Sequence, residues 1–176
     1  PTARMREAMH SAELGDDVYG EDPTVNELEH LAAAMLGKEA GLFAPSGTQS
    51  NLLALLTHCG RGDEYIVGNN AHTYRYEGGG AAVLGGIQPQ PVNMSTSGEL
   101  DLEELRAVIK PDDFHFARSK LICLENTHAG RPLPSGYCDA ARALCDAYGL
   151  ALHLDGARLF NAAGANGESA ENIAQP

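Results

Sequence analysis

The sequence predicts an α/β protein with a mainly parallel sheet flanked by helices. Two observations lead to this prediction. Short apolar segments typical of buried strands alternate with longer segments whose apolar residues recur at helical spacing. This alternation runs through 176 residues with no internal repeat and no low-complexity linker, as in one domain's worth of chain. Alternating strands and helices are typical of parallel βαβ units.

The composition indicates a soluble, cytoplasmic protein. Hydrophobic residues make up 43% of the chain and charged residues 20%, which is ordinary for a globular protein. A net charge of -12 argues against nucleic acid or an anionic membrane as partner. No apolar run approaches the roughly 18 residues of a membrane-spanning helix. Four widely spaced cysteines without a C-x-x-C pair favour buried, reduced thiols over a disulfide or zinc framework.

The first predicted elements are two helices joined by an acidic loop. Residues 4–13 carry apolar residues at helical spacing and predict an amphipathic helix. The loop over residues 15–23 is punctuated by glycine, and Tyr19 is its least expected residue if the loop is only a solvated turn. A capping box formed by Thr24 and Glu27 predicts the start of the second helix, which ends at Gly37.

A glycine turn then forms a candidate anion site. Residues 46–51, Ser-Gly-Thr-Gln-Ser-Asn, lie between a predicted short strand at 40–45 and an apolar helix at 52–58. The free N–H groups and the dipole of a helix N-terminus favour a phosphate, and the neighbouring hydroxyl groups can assist. An ordinary helix cap explains the motif equally well. It is neither a Walker loop nor a G-x-G-x-x-G dinucleotide motif.

Three later strands are also predicted to end in polar residues. His72 follows a strand at 64–68, Glu125 follows a strand at 121–124, and Asp155 ends a strand that begins at Leu150, with Arg158 three residues further on. A strand at 87–92 and helices at 100–109, at 137–148 and from 160 complete the alternation. Ligands bind at the carboxyl ends of parallel strands in open α/β sheets. Taken singly, Asp155 is as well explained by helix capping and His72 by a structural role.

The combination of these groups suits pyridoxal phosphate. Its phosphate fits a helix N-terminus, and its pyridine ring fits a stacked imidazole. Its ring nitrogen needs a carboxylate to remain protonated, because the protonated ring is the electron sink.

Five segments, taken together and in order, resemble the low-specificity L-threonine aldolases. These are fold-type-I pyridoxal-phosphate enzymes that split threonine or allo-threonine into glycine and acetaldehyde. The segments are residues 15–26, 46–51, 71–74, 124–128 and 153–161. The resemblance implies that residues 1–176 form the large cofactor-binding domain of an aspartate-aminotransferase-like fold, incomplete at both ends. It also implies a homotetramer built from dimers that share active sites.

The resemblance assigns five residues to the cofactor. Gly47 and Thr48 would bind its phosphate, and His72 would stack on its ring. Asp155 would pair with the pyridinium nitrogen. Arg158 would hold either the 3-hydroxyl group of the cofactor or the carboxylate of the amino-acid substrate.

Two further residues are assigned to the substrate. His115 matches a second active-site histidine near the substrate hydroxyl group, and Tyr19 matches a tyrosine offered to the site across a subunit interface. His72 and His115 are both candidate bases, and the sequence does not choose between them. No cluster of ligands demands a metal.

The lysine that binds the cofactor covalently in this family has no counterpart among Lys38, Lys110 and Lys120, which are predicted to lie on the surface. The expectation is therefore an N-terminal portion of the enzyme, inactive by itself, that lacks the lysine segment and the small C-terminal domain. Two alternatives remain: another fold-type-I lyase that eliminates at the β-carbon, or a non-catalytic fragment for cofactor binding or dimerisation.

Overall fold

The chain folds into two units in the computed structural model, which describes residues 1–176. The first unit is Pro1–Phe43 and the second is Ala44–Pro176. The first contains helix α1 (Ala3–Ser11), a 3₁₀ turn (Asp17–Tyr19) and helix α2 (Pro23–Met35). The predicted helix at 4–13 is confirmed, but no residue of α1 is buried. Its apolar stripe, with Met5 57% and Met9 70% exposed, is left uncovered.

The N-cap of helix α2 lies two residues before the predicted one. Asp22 is the N-cap, and its Oδ1 accepts hydrogen bonds from the backbone N–H groups of Thr24 and Val25, both at 3.0 Å. Thr24 Oγ1 instead donates to the carbonyl oxygen of Glu13 at 2.6 Å. The capping box at Thr24 was therefore wrong. Pro23 has no N–H group and a φ already suited to the first helical position, so Asp22 is the better cap.

The second unit contains a four-stranded parallel sheet, which confirms the predicted class. The strands are ordered β2-β1-β3-β4. They are β1 (Asp63–Gly68), β2 (Gln88–Val92), β3 (Arg118–Glu125) and β4 (Ala151–Asp155). The helices are α3 (Gly47–His58), α4 (His72–Arg75), α5 (Leu102–Val108), α6 (Tyr137–Tyr148), α7 (Leu159–Asn166) and α8 (Ala170–Ala174), with a π-helical segment at Ala81–Gly85.

The predicted strand at residues 40–45 is not formed. These residues have no regular secondary structure, and Leu42 is 78% exposed. A strand exists only when its backbone groups pair with a neighbouring strand, and none of the four strands pairs with this segment. A short apolar run alone was therefore a misleading signal.

The core lies on both faces of the sheet. Successive residues of β3 alternate between two apolar clusters: Ile122 packs with α5 and α6, and Leu121 packs with α3. Burial on both faces is what a parallel sheet requires, and it explains the continuous apolar runs in the two central strands, β1 and β3. The four cysteines are free thiols, three of them buried. No helix is both long enough and apolar enough to cross a membrane.

Candidate functional site

A cavity of about 420 Å³ lies at the carboxyl ends of strands β3 and β4. Backbone pairing there brings the two strand ends together, because Glu125 is the register partner of Asp155. All five residues that the resemblance assigned to the cofactor line this cavity. They are Gly47, Thr48, His72, Asp155 and Arg158.

Helix α3 presents its N-terminus to the cavity. The N-cap Ser46 accepts a hydrogen bond from the N–H of Gln49 at 3.2 Å, and the hydroxyl of Ser50 donates back to the Ser46 carbonyl. These two hydroxyl groups are therefore engaged by the helix itself. A Cβ added at Gly47 would meet nothing within 4 Å, so the space beside the first helical residue is open. Free N–H groups at the positive end of the α3 dipole make this a site for an anion.

Asp155 is the last residue of β4 and is 9% exposed. Its Oδ2 accepts a hydrogen bond from Asn51 Nδ2 at 2.8 Å, and its Oδ1 accepts one from the backbone N–H of Ala157 at 3.1 Å. Helix α7 begins later, at Leu159, with Arg158 as its N-cap and no side-chain cap. Asp155 is therefore not the cap of that helix. It is a buried carboxylate held in one orientation beside the cavity.

The side chain of Asn51 connects three polar groups. Its Nδ2 donates to Glu77 Oε1 as well as to Asp155, both at 2.8 Å, and its Oδ1 lies 2.9 Å from His153 Nε2. The two carboxylates can only accept, so the amide nitrogen must face them and the amide oxygen must face His153. The proton of His153 is then on Nε2. Burial lowers the pKa of His153, against the opposing effect of the Asp155 charge, and favours the neutral imidazole.

His72 is the first residue of helix α4, and glutamates hold both its backbone and its ring. Its backbone N–H donates to Glu125 Oε2 at 2.6 Å, and its ring Nδ1 lies 2.9 Å from Glu77 Oε1. The other oxygen of Glu125 lies 3.0 Å from His128 Nδ1. The side chain of Glu77 is 6% exposed, whereas that of His72 is 51% exposed. The imidazole ring is therefore accessible to solvent, and its contact with the buried carboxylate of Glu77 determines its orientation.

The groups that orient the site were the ones missed in the sequence. Asn51 is only the end of the glycine-turn motif in the sequence, and Glu77 lies in no motif. Glu125 was noted as a polar residue at a strand end, without a partner. The one available signal was position: Asn51 and Glu77 lie within five residues of Thr48 and His72, and Glu125 ends a predicted strand.

His72, Glu77 and Asp155 also bring one potential metal-ligand atom each within 4.8 Å of one another. The two carboxylates of this group share the amide hydrogens of Asn51. Hydrogen bonds already account for their close approach, so the geometry does not require a metal ion.

One of the two residues assigned to the substrate, His115, is not brought to the cavity. His115 lies in the loop that precedes β3, whereas the cavity follows the other end of that strand. Its Nδ1 is 2.7 Å from Asp113 Oδ1, and its side chain is 67% exposed. Tyr19 belongs to the first unit and is 77% exposed. Their roles remain predictions.

No lysine lines the cavity. Lys38 and Lys120 are exposed, as predicted. Lys110 differs from the prediction, because its side chain is only 22% exposed and its Nζ lies 3.6 Å from a carboxylate oxygen of the fully buried Glu64. Glu64 is near the amino end of β1, so this ion pair is at the opposite end of the strand from the cavity.

Comparison with known proteins gives concordant matches. The model of the beta-eliminating lyase family matches residues 1–176. The chain is 56% identical over 175 residues to the low specificity L-threonine aldolase of Escherichia coli strain K12, covering 99% of this chain and 53% of that protein. It is 44% identical over 170 residues to the corresponding protein of Saccharomyces cerevisiae, covering 95% of this chain and 44% of that one.

Among solved structures, the threonine aldolase of Leishmania major superposes with a TM-score of 0.80 at 24% identity, covering 98% of this chain and 51% of that chain. At this identity the match shows the fold alone. The chain spans about half the length of the curated relatives it matches.

Proposed function

The chain belongs to the beta-eliminating lyase family, and from this premise we propose that the protein is a pyridoxal-phosphate-dependent aldolase. Its substrates would be L-threonine and L-allo-threonine, and its products glycine and acetaldehyde. The names of the relatives support this assignment. The observation that carries it is the placement of Asp155, His72 and the N-terminus of α3 around one cavity.

The residues around the cavity fit this cofactor. Gly47 and Thr48 offer backbone N–H groups at a helix N-terminus for the phosphate, and the open space at Gly47 admits it. The buried carboxylate of Asp155 suits a protonated ring nitrogen. The cavity volume lies within the range of about 300–1,000 Å³ that is usual for small-molecule sites. When bound, pyridoxal phosphate withdraws electrons from the α-carbon of the substrate.

Each residue then has a defined task. Asp155 would keep a proton on the ring nitrogen of the cofactor, and Asn51 holds Asp155 in place. Arg158 would bind the substrate carboxylate or the 3-hydroxyl group of the cofactor. His72 would lie against the cofactor ring, and its Nε2 would accept the β-hydroxyl proton as the bond between the α- and β-carbons of the substrate breaks and the aldehyde leaves. A proton delivered to the α-carbon completes glycine.

The remaining assignments rest on the resemblance. The resemblance also offers His115 as a base at the substrate hydroxyl group, but His115 precedes β3 whereas the cavity lies at the carboxyl end of that strand, so we keep His72 in that role. We assign Tyr19 to a site shared between subunits of a dimer of dimers. We also propose a cytoplasmic location, from the composition and from cysteine spacing that favours reduced thiols.

Product analysis of the full-length protein tests the reaction. With pyridoxal phosphate and L-allo-threonine, we expect equal amounts of glycine and acetaldehyde. The second candidate is a β-eliminating lyase, which the description of the matched family favours. An aromatic amino acid would then lose its protonated aromatic group from the β-carbon and yield ammonia and a keto acid, and glycine would not form.

The variant Asp155→Asn tests the role of the carboxylate. It should lower kcat by about 10²-fold or more, the scale on which one proton-holding group contributes to catalysis. A kcat within about threefold of the unsubstituted protein would contradict the assignment.

A further inference from the structure

Glu77 is a buried carboxylate to which the proposed reaction gives no task. It lies just after helix α4, and its side chain is 6% exposed. Its Oε1 is 2.9 Å from the ring Nδ1 of His72 and 2.8 Å from Nδ2 of Asn51. A buried carboxylate is costly unless it is fully hydrogen-bonded, so this position needs a physical explanation.

The contact with Glu77 determines where the proton of His72 lies. An ionised carboxylate only accepts hydrogen bonds, so the neutral imidazole must carry its proton on Nδ1 to make this contact. The lone pair is then on Nε2. A carboxylate that orients an imidazole in this way also selects the tautomer of the catalytic histidine in Ser-His-Asp triads.

The backbone of His72 is held as firmly as its ring. Its N–H donates to Glu125 Oε2 at 2.6 Å, so two separate carboxylates fix the residue at two points. With both ends held, the ring keeps one orientation even though half of its surface is exposed. Orientation within a narrow range is what a proton-transfer group requires.

Asn51 extends this arrangement to Asp155. One amide hydrogen of Nδ2 points to Glu77 and the other to Asp155, so the two carboxylates share a single donor group. A continuous hydrogen-bonded chain therefore runs from the imidazole of His72 through Glu77 and Asn51 to Asp155. The position of the ring is coupled to that of the carboxylate assigned to the cofactor nitrogen.

We propose that Glu77 is a positioning residue that fixes the imidazole of His72 with its proton on Nδ1 and, through Asn51, sets its placement relative to Asp155. The proposal rests on the proposed function, since it gives His72 a free Nε2 to accept the substrate proton. Without Glu77 the ring is free to turn and to move its proton to Nε2, which removes the acceptor.

The test measures the tautomer of His72 in the full-length protein by NMR of isotope-labelled histidine, with His72→Gln identifying the signal. In the unsubstituted protein we expect one tautomer with the proton on Nδ1. A proton on Nε2 overturns the proposal, and this measurement does not depend on the folding of any variant.

Two variants of Glu77 distinguish its role as a hydrogen-bond acceptor from the effect of its negative charge. In Glu77→Gln the amide oxygen accepts the same two hydrogens, so the Nδ1 tautomer should be retained and kcat should fall less than about tenfold. In Glu77→Leu the acceptor is lost, so the single tautomer should disappear and kcat should fall by about 10²-fold. The KM for L-allo-threonine should change much less than kcat. Glu103→Leu, on the exposed surface of α5, is the matched control and should change neither quantity.

A Glu77→Leu protein that keeps the Nδ1 tautomer, or that loses only stability, would overturn the positioning role. Failure of the proposed function has a different signature. A protein that forms no glycine but shows His72 protonated on Nδ1, with that tautomer lost in Glu77→Leu, would refute the aldolase assignment and support the role of Glu77.

Discussion

Replacing Asn51 by leucine is expected to destabilise the fold and disorganise the site together. The side chain is 4% exposed and makes three hydrogen bonds, to Glu77, Asp155 and His153. Leucine has a similar size but no polar atoms. The substitution therefore leaves three partner groups without their partner and changes the packing little.

The expected loss of unfolding free energy is estimated from these three partner groups. A buried polar group that loses its partner costs about 1–3 kcal/mol. The low end applies because the cavity lets water reach the carboxylates, which gives about 3 kcal/mol for the three groups. Leucine recovers roughly 1 kcal/mol by burying apolar surface in the same place. We expect the free energy of unfolding to fall by about 2 kcal/mol.

Urea unfolding of the full-length protein measures this loss, and pyridoxal-phosphate titration measures the effect on the site. The matched control is Asn172→Leu, because Asn172 is an exposed residue of α8. Its unfolding free energy should change by less than about 0.5 kcal/mol. If Asn51→Leu is as stable as this control and binds the cofactor equally well, the amide network does not organise the site.

Three further outcomes are expected. Gly47→Asp should weaken pyridoxal-phosphate binding more than about tenfold, because its negative charge opposes the phosphate at the helix N-terminus, and the neutral Gly47→Asn, of similar size, should weaken it less; equal affinities of these two variants in a fluorescence titration would contradict the site. Burial lowers the pKa of His153 below 6.5, so its contribution to stability is complete above that value and is lost as pH falls through the folded-state pKa. Between about pH 7 and 5, urea unfolding should show a steeper loss of stability in the unsubstituted protein than in His153→Gln; parallel profiles would argue against a buried neutral imidazole. Hydrogen bonds from the backbone N–H groups of Val25 and Gly15 lower the pKa of Asp22 below 3.8. The ionised carboxylate therefore stabilises α2 above pH 3.8, and this stabilisation is lost as the pH falls through the lowered pKa. Asp22→Ala should reduce helical circular dichroism at neutral pH, and the difference from the unsubstituted protein should vanish in acid.

The fold was largely predictable because its strands and helices have strong local signals. Helix α6 was predicted with its observed bounds, because its apolar residues recur at helical spacing and one glycine precedes the helix while another follows it. Strands β1 and β3 were predicted to within three residues at each end, because burial on both faces requires continuous apolar runs.

The two errors in the predicted fold arose where a short sequence motif forms its structure only with the right neighbouring residues or strands. The strand at residues 40–45 has the right composition but no partner strand in the sheet. The capping box at Thr24 has the right residue types, but Asp22 and Pro23 together form the better helix start.

The residues predicted to contact the cofactor, which the structure brings to one cavity, each lie next to an element recognisable in the sequence. Asp155 ends a strand, and His72 and Gly47 follow strand-like segments. The residues that orient them were not identified. Asn51 and Asp155 are separated by 104 positions in the sequence, and His72 and Glu125 by 53.

The sequence by itself thus determined the parallel α/β class, the strand ends at which polar groups gather and the family to which the chain belongs. These properties depend on spacing within a few residues and on segments that can be compared directly. Only the tertiary structure decided that Asn51 and Glu77 connect His72 to Asp155. Hydrogen bonds act over about 3 Å, and only the packing of α3 and α4 against the sheet brings such distant residues within that range.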